Sequence, residues 1–212
     1  MSTDVASLPS GRAPRDERRP HVEARLFDAV ARLCGPEGTP FSELSVARLA
    51  EEAGIARATF YLYFPDRSAF ALRLAEHAGE VLAPVFGALW GTTGRDRAAL
   101  DGAMLDLVMT FRDEQGLMSA LVEAGAADAA VQAQLDARMG SLIAATTRSF
   151  TAAQREGLIR ADIPAAETAE SLTFMIERGL YRLVRGSAPA RARRLAAAWS
   201  AVCWHALHPD AS

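Results

Sequence analysis

Residues 44–67 read LSVARLAEEAGIARATFYLYFPDR, and this stretch decides the fold. Val46, Leu49 and Ala50 recur at helical spacing behind Ser45, whose side chain suits an N-cap, so a short helix is predicted over 46–53. Gly54 follows, fitting the left-handed position that closes a helix, and Ile55 begins a tight turn. A second helix is predicted over 57–63, stopped by Phe64-Pro65. Two short helices joined by so tight a turn have the spacing of a helix-turn-helix. In such a unit the second helix enters the major groove of DNA and the first crosses the backbone. Ala50, Ile55 and Phe60 are expected to form the small core that sets the angle between them. Arg57, Ala58, Thr59, Leu62 and Tyr63 are left on or near the outer face.

The residue types on that face suit a nucleic acid. Arg57 can fork onto a guanine or a phosphate. Thr59 can donate to a phosphate or set its methyl against a thymine, and Tyr61 and Tyr63 carry a hydroxyl on a rigid ring. Arg67 opens the next helix, where its charge and the free N–H groups both suit a phosphate. With Ser45, the expected DNA-facing set is Ser45, Arg57, Ala58, Thr59, Tyr61, Tyr63 and Arg67. The competing reading makes 44–67 three packed core helices with the tyrosines inside; neighbouring Arg and Thr make that a poor core.

Outward from this segment the chain reads as all-α, because alternating β-branched runs are missing. Helix 1 is expected from about His21 to Cys34, ended by Gly35-Pro36. After the helix-turn-helix, Asp66 is a good cap for a helix reaching about Trp90, bent at Pro84. Further helices are expected at about 95–114, 116–125, 128–156, 164–185 and 189–207, with Gly157 and Gly186-Ser187 as breaks and Asp162 as a cap. That makes about nine helices. The domains expected are a disordered basic arm over 1–20, a three-helix DNA-binding unit over 21–66, and a helical bundle over 67–212. The arm, with Arg12, Arg15, Arg18 and Arg19, is either a solvated tail or a reach toward DNA.

Composition sets weaker bounds. The 212 residues are half apolar, enough for a sizeable core, and the net charge is −3. Residues 1–73 balance ten Arg against ten acids, so charge alone does not point to a polyanion. Every cation is Arg, so phosphate contacts would be made by guanidinium forks. The two cysteines, Cys34 and Cys203, sit among apolar neighbours and suit buried free thiols; a redox-sensing thiol is the other reading. His21, His77, His205 and His208 are scattered, so neither a metal site nor a catalytic constellation is expected, and no cofactor. No apolar run approaches a bilayer-spanning length and no signal-peptide core is seen, so a cytoplasmic protein without membrane contact is expected.

The order Leu33, Phe41, Ser45-Val46, Leu49-Ala50, Ala53-Gly54-Ile55, Thr59-Phe60-Tyr61 and Tyr63-Phe64-Pro65 before Arg67 resembles the DNA-binding domain of TetR-family repressors. The match covers about residues 22–74. Ala56 departs from it, where that family more often has a capping Ser or Thr. A second pattern, Thr173 to Tyr181, with Trp199 in the last helix, is similar to the ethionamide-resistance-repressor subgroup. The resemblance implies a homodimer through the last two helices, with Phe174, Arg178, Tyr181, Arg182, Trp199 and Cys203 at the seam. It implies binding to a pseudo-palindromic double-stranded operator, and release by a small, largely apolar effector. The apolar residues suited to hold that effector are Phe86, Trp90, Met104, Leu107, Phe111, Met118, Leu121, Leu142, Thr173, Ile176 and Trp199; an ordinary packed core is the blander reading of each. Thr173 and Ile176 fall where the subgroup carries pocket amides. Glu177-Arg178 reads as two solvated charges or as a polar element at the seam. The alternatives are a helical ligand-binding or interaction module without DNA binding, and a small enzyme or carrier on the helical domain.

Overall fold

The structure, a computed structural model, describes residues 15–35, 37–91 and 96–208. Among them are nine α-helices: α1 (Arg15–Leu33), α2 (Val46–Glu52), α3 (Arg57–Tyr63), α4 (Arg67–Gly91), α5 (Arg97–Asp113), α6 (Gln115–Ala127), α7 (Ala129–Arg155), α8 (Ala165–Gly179) and α9 (Pro189–Leu207). A 3-10 turn, Phe41–Glu43, precedes α2, and a π turn, Leu180–Val184, extends α8. The all-α expectation and the nine elements hold, with small differences at their ends.

Local chemistry explains most of the boundaries. Ser45 accepts the Arg48 N–H at 3.1 Å, Asp66 accepts the Ala69 N–H at 2.8 Å, and Asp128 accepts the Ala130 N–H at 2.8 Å. Each satisfies a helix-start donor that has no partner in its own helix. Gly54 and Gly157 close α2 and α7 in the left-handed region, at φ +61° and +70°. Two expectations are corrected. Helix 1 starts at Arg15, ahead of the expected His21, so only residues 1–14 of the proposed arm lie outside the described residues. Its early turns are tied down by Arg19, which pairs with Glu23 at 2.8 Å, so Pro20 is carried inside the helix. Asp162 does not cap α8; its carboxylate forks with Arg160 at 2.7 and 2.6 Å, and Pro164 holds the cap position without a side-chain bond.

The first three helices pack as a head around an aromatic cluster. Phe60, Phe64 and Phe70 are buried with ring centroids 5.1–5.4 Å apart. Phe27 of α1 reaches the same cluster and stacks on His77 of α4 at 4.3 Å. The buried carboxylate of Glu23 sits between Arg19 and Arg73, which welds α1 to α4. Burial disfavours the charge on Arg73, but Glu23 and Glu80 more than offset it, so its pKa is raised. The remaining helices, α4 to α9, form the larger body, whose apolar core is continuous with that of the head.

Candidate DNA-reading helix and effector core

The turn between α2 and α3 is held from outside as well as from within. Arg25 of α1 donates to the Gly54 carbonyl at 2.8 Å, and Arg32 pairs with Glu52 at 2.8 Å. The Ile55 N–H reaches back to the Ala50 carbonyl at 2.9 Å. Ala50 and Phe60 are buried, as expected of that core, and Ile55 is half-buried and packed against the cluster that holds Phe60. This fixes which face of α3 points away.

That outward face carries Arg57, Ala58, Tyr61 and Leu62, all exposed, with Tyr61 at 43% and Leu62 at 51%. The Arg57 guanidinium lies over the Tyr61 ring, 5.6 Å from its centroid. Thr59 is half-buried, and Tyr63, expected outside, is half-buried against the core. The reason is the helical period: Tyr63 lies three residues from Phe60 and shares part of its inward face. Ala56 stands at the α3 cap position with no side-chain bond, as its residue type requires.

Arg67 has a different occupation from the one its position suggested. Its guanidinium donates to the carbonyls of Phe41, Leu44 (2.6 Å) and Ser42 (3.4 Å), and lies over the Phe41 ring at 4.8 Å. Phe41 and Ser42 belong to the 3-10 turn and Leu44 caps it; the turn's own bond, from the Leu44 N–H to the Phe41 carbonyl at 3.2 Å, leaves acceptor capacity at its C-terminal end that Arg67 takes up. Arg67 therefore builds the entrance to α2.

The head meets the body through α6. Gly116 sits against the Ala31 carbonyl, and the Ser42 N–H and hydroxyl donate to Glu123 at 3.2 and 3.3 Å. At the adjoining corner the Ser68 hydroxyl donates to Asp128, the cap of α7. These contacts link residues far apart in the chain, and no pattern around Gly116, Glu123 or Ser68 pointed to them.

In the body, all the expected effector-lining residues except Leu142 are buried, and Leu142 packs against the same core. Trp90 meets Phe150 edge-on at 5.2 Å, and Phe111 meets Tyr181 at 5.0 Å. Trp199 lies against Gly179, where a Cβ would collide with its indole. Phe150, one of the large apolar side chains that recur along this half of the sequence but not one of the expected effector-lining set, belongs with this group.

The expected dimer seam divides in two. Phe174 (45% exposed), Arg178 and Arg182 face outward, and Tyr181 is half-buried with its hydroxyl 3.9 Å from the Met118 sulfur. Trp199 and Cys203 correct the expectation, because both are buried inside the protomer. They lie on the α9 stripe Ala192, Ala196, Trp199, Cys203 and Leu207, which packs against the body. Val202 and Leu183, at 49% and 40%, are the exposed apolar residues nearby. Half-burial raises the Glu177 pKa, countered in part by Arg178. Burial pushes both thiols up to about 12, at Cys34 with Glu123 adding to the effect and Arg67 opposing it, so at neutral pH each is a protonated, unreactive thiol. Among the described residues no cluster of three or more metal-ligating side chains converges, and no helix is long and apolar enough to cross a membrane.

Comparison with known proteins agrees with this architecture. Residues 37–74 match the family described as bacterial regulatory proteins, tetR family, and residues 101–203 match the C-terminal domain of the transcriptional regulator EthR. The chain is 28% identical to the HTH-type transcriptional regulator EthR of Mycobacterium tuberculosis over 192 residues, covering 87% of this chain and 86% of that one. It is 29% identical to EthR of Mycolicibacterium smegmatis over 181 residues, covering 85% and 81%. Among solved structures, PfmR of Thermus thermophilus, a TetR-family regulator, superposes with a TM-score of 0.66 at 15% identity, covering 85% and 97%. FadR of Bacillus subtilis, solved with stearoyl-CoA, superposes with a TM-score of 0.68 at 13% identity, covering 87% and 99%.

Proposed function

Because the chain belongs to the TetR family of transcriptional regulators, with an EthR-type C-terminal domain, we propose that it is a homodimeric repressor whose two α3 helices read a pseudo-palindromic operator and whose body holds the effector that releases it. The observation that carries the DNA-reading part is the outward face of α3. Arg57, Ala58, Tyr61 and Leu62 are exposed on a helix whose partner, turn and aromatic floor hold it rigidly. Arg57 and Tyr61 supply base and phosphate contacts, with Thr59, Tyr63 and Ser45 at the margins. Arg67 contributes by shaping the entrance to α2. No catalytic role is assigned, and the protein acts in the cytoplasm, where a chromosomal operator is reached.

The test is retardation of DNA flanking its own gene by the purified protein, with strong weakening as salt rises. Arg57→Ala and Tyr61→Phe should each weaken retention by roughly five- to tenfold at an unchanged melting temperature. If no fragment is held at low salt, the chain is a helical ligand-binding module without DNA affinity; if DNA is held but neither variant weakens it, the outward face of α3 is not the reading surface.

Dimerisation is assigned to the outward apolar residues of α8, the π turn and α9, namely Phe174, Leu183 and Val202, flanked by Arg178 and Arg182. Val202→Glu should shift sedimentation toward monomer; an unchanged dimer removes this face from the interface. The effector reading is supported by the apolar, methionine-containing interior and by the stearoyl-CoA held by FadR. To act, the effector must bind the released conformation more tightly than the DNA-bound one.

A further inference from the structure

A chain of formal net charge −3 is an awkward ligand for a polyanion. The head has few cations to spare. Arg19, Arg32, Arg48 and Arg73 are paired with carboxylates at 2.8–3.1 Å, and Arg25 and Arg67 are held by backbone carbonyls. Uncommitted positive charge lies in the body instead. Residues 178–208 hold six Arg and no Asp or Glu. Arg178, Arg182, Arg185, Arg191, Arg193 and Arg194 are all exposed, and none has a carboxylate within ion-pair distance among the described residues. Arg193 lines a groove with Arg97 and Asp101 of α5. The other five form a stripe. Arg178 and Arg182 are four residues apart and Arg191 and Arg194 three, so each pair shares one helical face, and Arg185 stands at the turn between them.

This stripe sits at the head end of the body. The connection from the π turn to α9 is pinned to the corner where α5 meets α6. The Gly186 N–H donates to the Gln115 amide oxygen at 3.0 Å, and Arg112 donates to the Ser187 carbonyl at 3.4 Å. One residue further along, Gly116 rests on the Ala31 carbonyl of α1. All five arginines lie within about seven residues of that connection, roughly 10 Å at the helical rise. The carboxylate of Asp113 at this corner is already taken by Arg112 at 3.2 Å.

Two heads that meet one duplex from one side need a twofold axis perpendicular to it. Phe174, Leu183 and Val202, assigned above to the seam, place the stripe beside that axis in both protomers, at the end toward the duplex. Five guanidinium groups from each copy, ten in all, gather there against two half-buried Glu177 side chains. Such crowding is unfavourable, and physiological salt screens it only beyond about 8 Å. We propose that the stripe faces the phosphate backbone at the centre of the operator, between the two reading helices, and supplies a sequence-independent share of the affinity. This rests on the reading of the chain as a homodimer on DNA, and adds to it a DNA-facing surface outside the head.

The test compares the full-length protein with its variant Arg182→Gln/Arg185→Gln/Arg191→Gln on two duplexes: the fragment retained from beside its own gene, and one of unrelated sequence. Affinity is read by fluorescence anisotropy over a range of salt. Each phosphate contact adds about 0.9 to the slope of log affinity against log salt, so losing about six per dimer should flatten the slope by about 3–5. At low salt both duplexes should be held about tenfold less tightly, by the same factor, because phosphates carry no sequence. Arg191→Gln/Arg194→Gln, confined to α9, should flatten the slope by about two-thirds as much. Neutral methylphosphonate linkages at the centre of the fragment should weaken the parent and leave the triple variant unchanged. Sedimentation should show both variants as dimers, with melting temperatures no lower than the parent's.

A slope equal to the parent's overturns the proposal, and so do methylphosphonates that weaken parent and variant alike. A variant that sediments as monomer overturns it as well, because the stripe then pairs with carboxylates across the seam. Loss confined to the gene's own fragment would make these arginines base readers, again against the proposal. If the parent holds neither duplex at low salt, the DNA reading itself falls and takes this surface with it.

Discussion

Gly116 of α6 rests so closely on the Ala31 carbonyl of α1 that a methyl group added at Gly116 would land on that oxygen. Glycine is the one residue that lets these two helices approach so far. Both sit at the junction of head and body, where Ser42 also donates to Glu123. The separation of α1 from α6 is therefore set by backbone contact, which does not yield as a flexible side chain would.

Gly116→Ala is predicted to destabilise the protein by about 1–3 kcal/mol, the usual range for overpacking, despite the gain in helix propensity. Gly140, on the exposed side of α7, meets nothing within 4 Å, so Gly140→Ala should stabilise by roughly 0.5–1 kcal/mol. Thermal unfolding of the two variants should thus move in opposite directions, by about 2–4 °C per kcal/mol for a chain of this size. Movement of both in the same direction would show that the junction is not tight. Gly116→Ala should also alter operator affinity, since the head is carried on this contact.

Arg67 offers a test of structure against contact. Arg67→Ala removes the donors to the Phe41, Ser42 and Leu44 carbonyls and should cost about 1–2 kcal/mol of stability, allowing for partial exposure. Lysine keeps the charge but not the fork, so Arg67→Lys should recover less than half of the loss. Were Arg67 chiefly a phosphate contact, the alanine variant would melt normally and lose operator binding alone.

Ala56 leaves the start of α3 without a side-chain cap. Its backbone, φ −69° and ψ 144°, is already in the extended conformation a capping residue uses. Ala56→Ser should stabilise the protein by about 0.5–1 kcal/mol and tighten operator binding, because the added hydroxyl also stands at the DNA-facing end of the helix. A gain in melting temperature with no gain in retardation would mean that this end of α3 does not reach the phosphates.

Much of the head was legible in the residues alone. Ser45, Gly54 and Phe64-Pro65 mark the helix ends through caps, backbone freedom and proline sterics, all local effects. The faces of α3 also followed from spacing, and Tyr61 is exposed as expected. Tyr63 is less open than expected, because its neighbour three residues back, Phe60, is pulled into a cluster completed by Phe64 and Phe70 from beyond the unit.

Spacing by itself determined the helices, their number and the rigid two-helix unit with Arg57 and Tyr61 on one side, because period, caps and turns depend on residues within a few positions of one another. Only the tertiary structure decided that Arg67 turns inward onto carbonyls, that Trp199 and Cys203 face the core while Val202 faces out, and that Trp90 and Thr173 lack partners. Each of those outcomes depends on which distant helix arrives at a given face, and one residue of rotation along a helix turns a side chain by about 100°, from interior to surface.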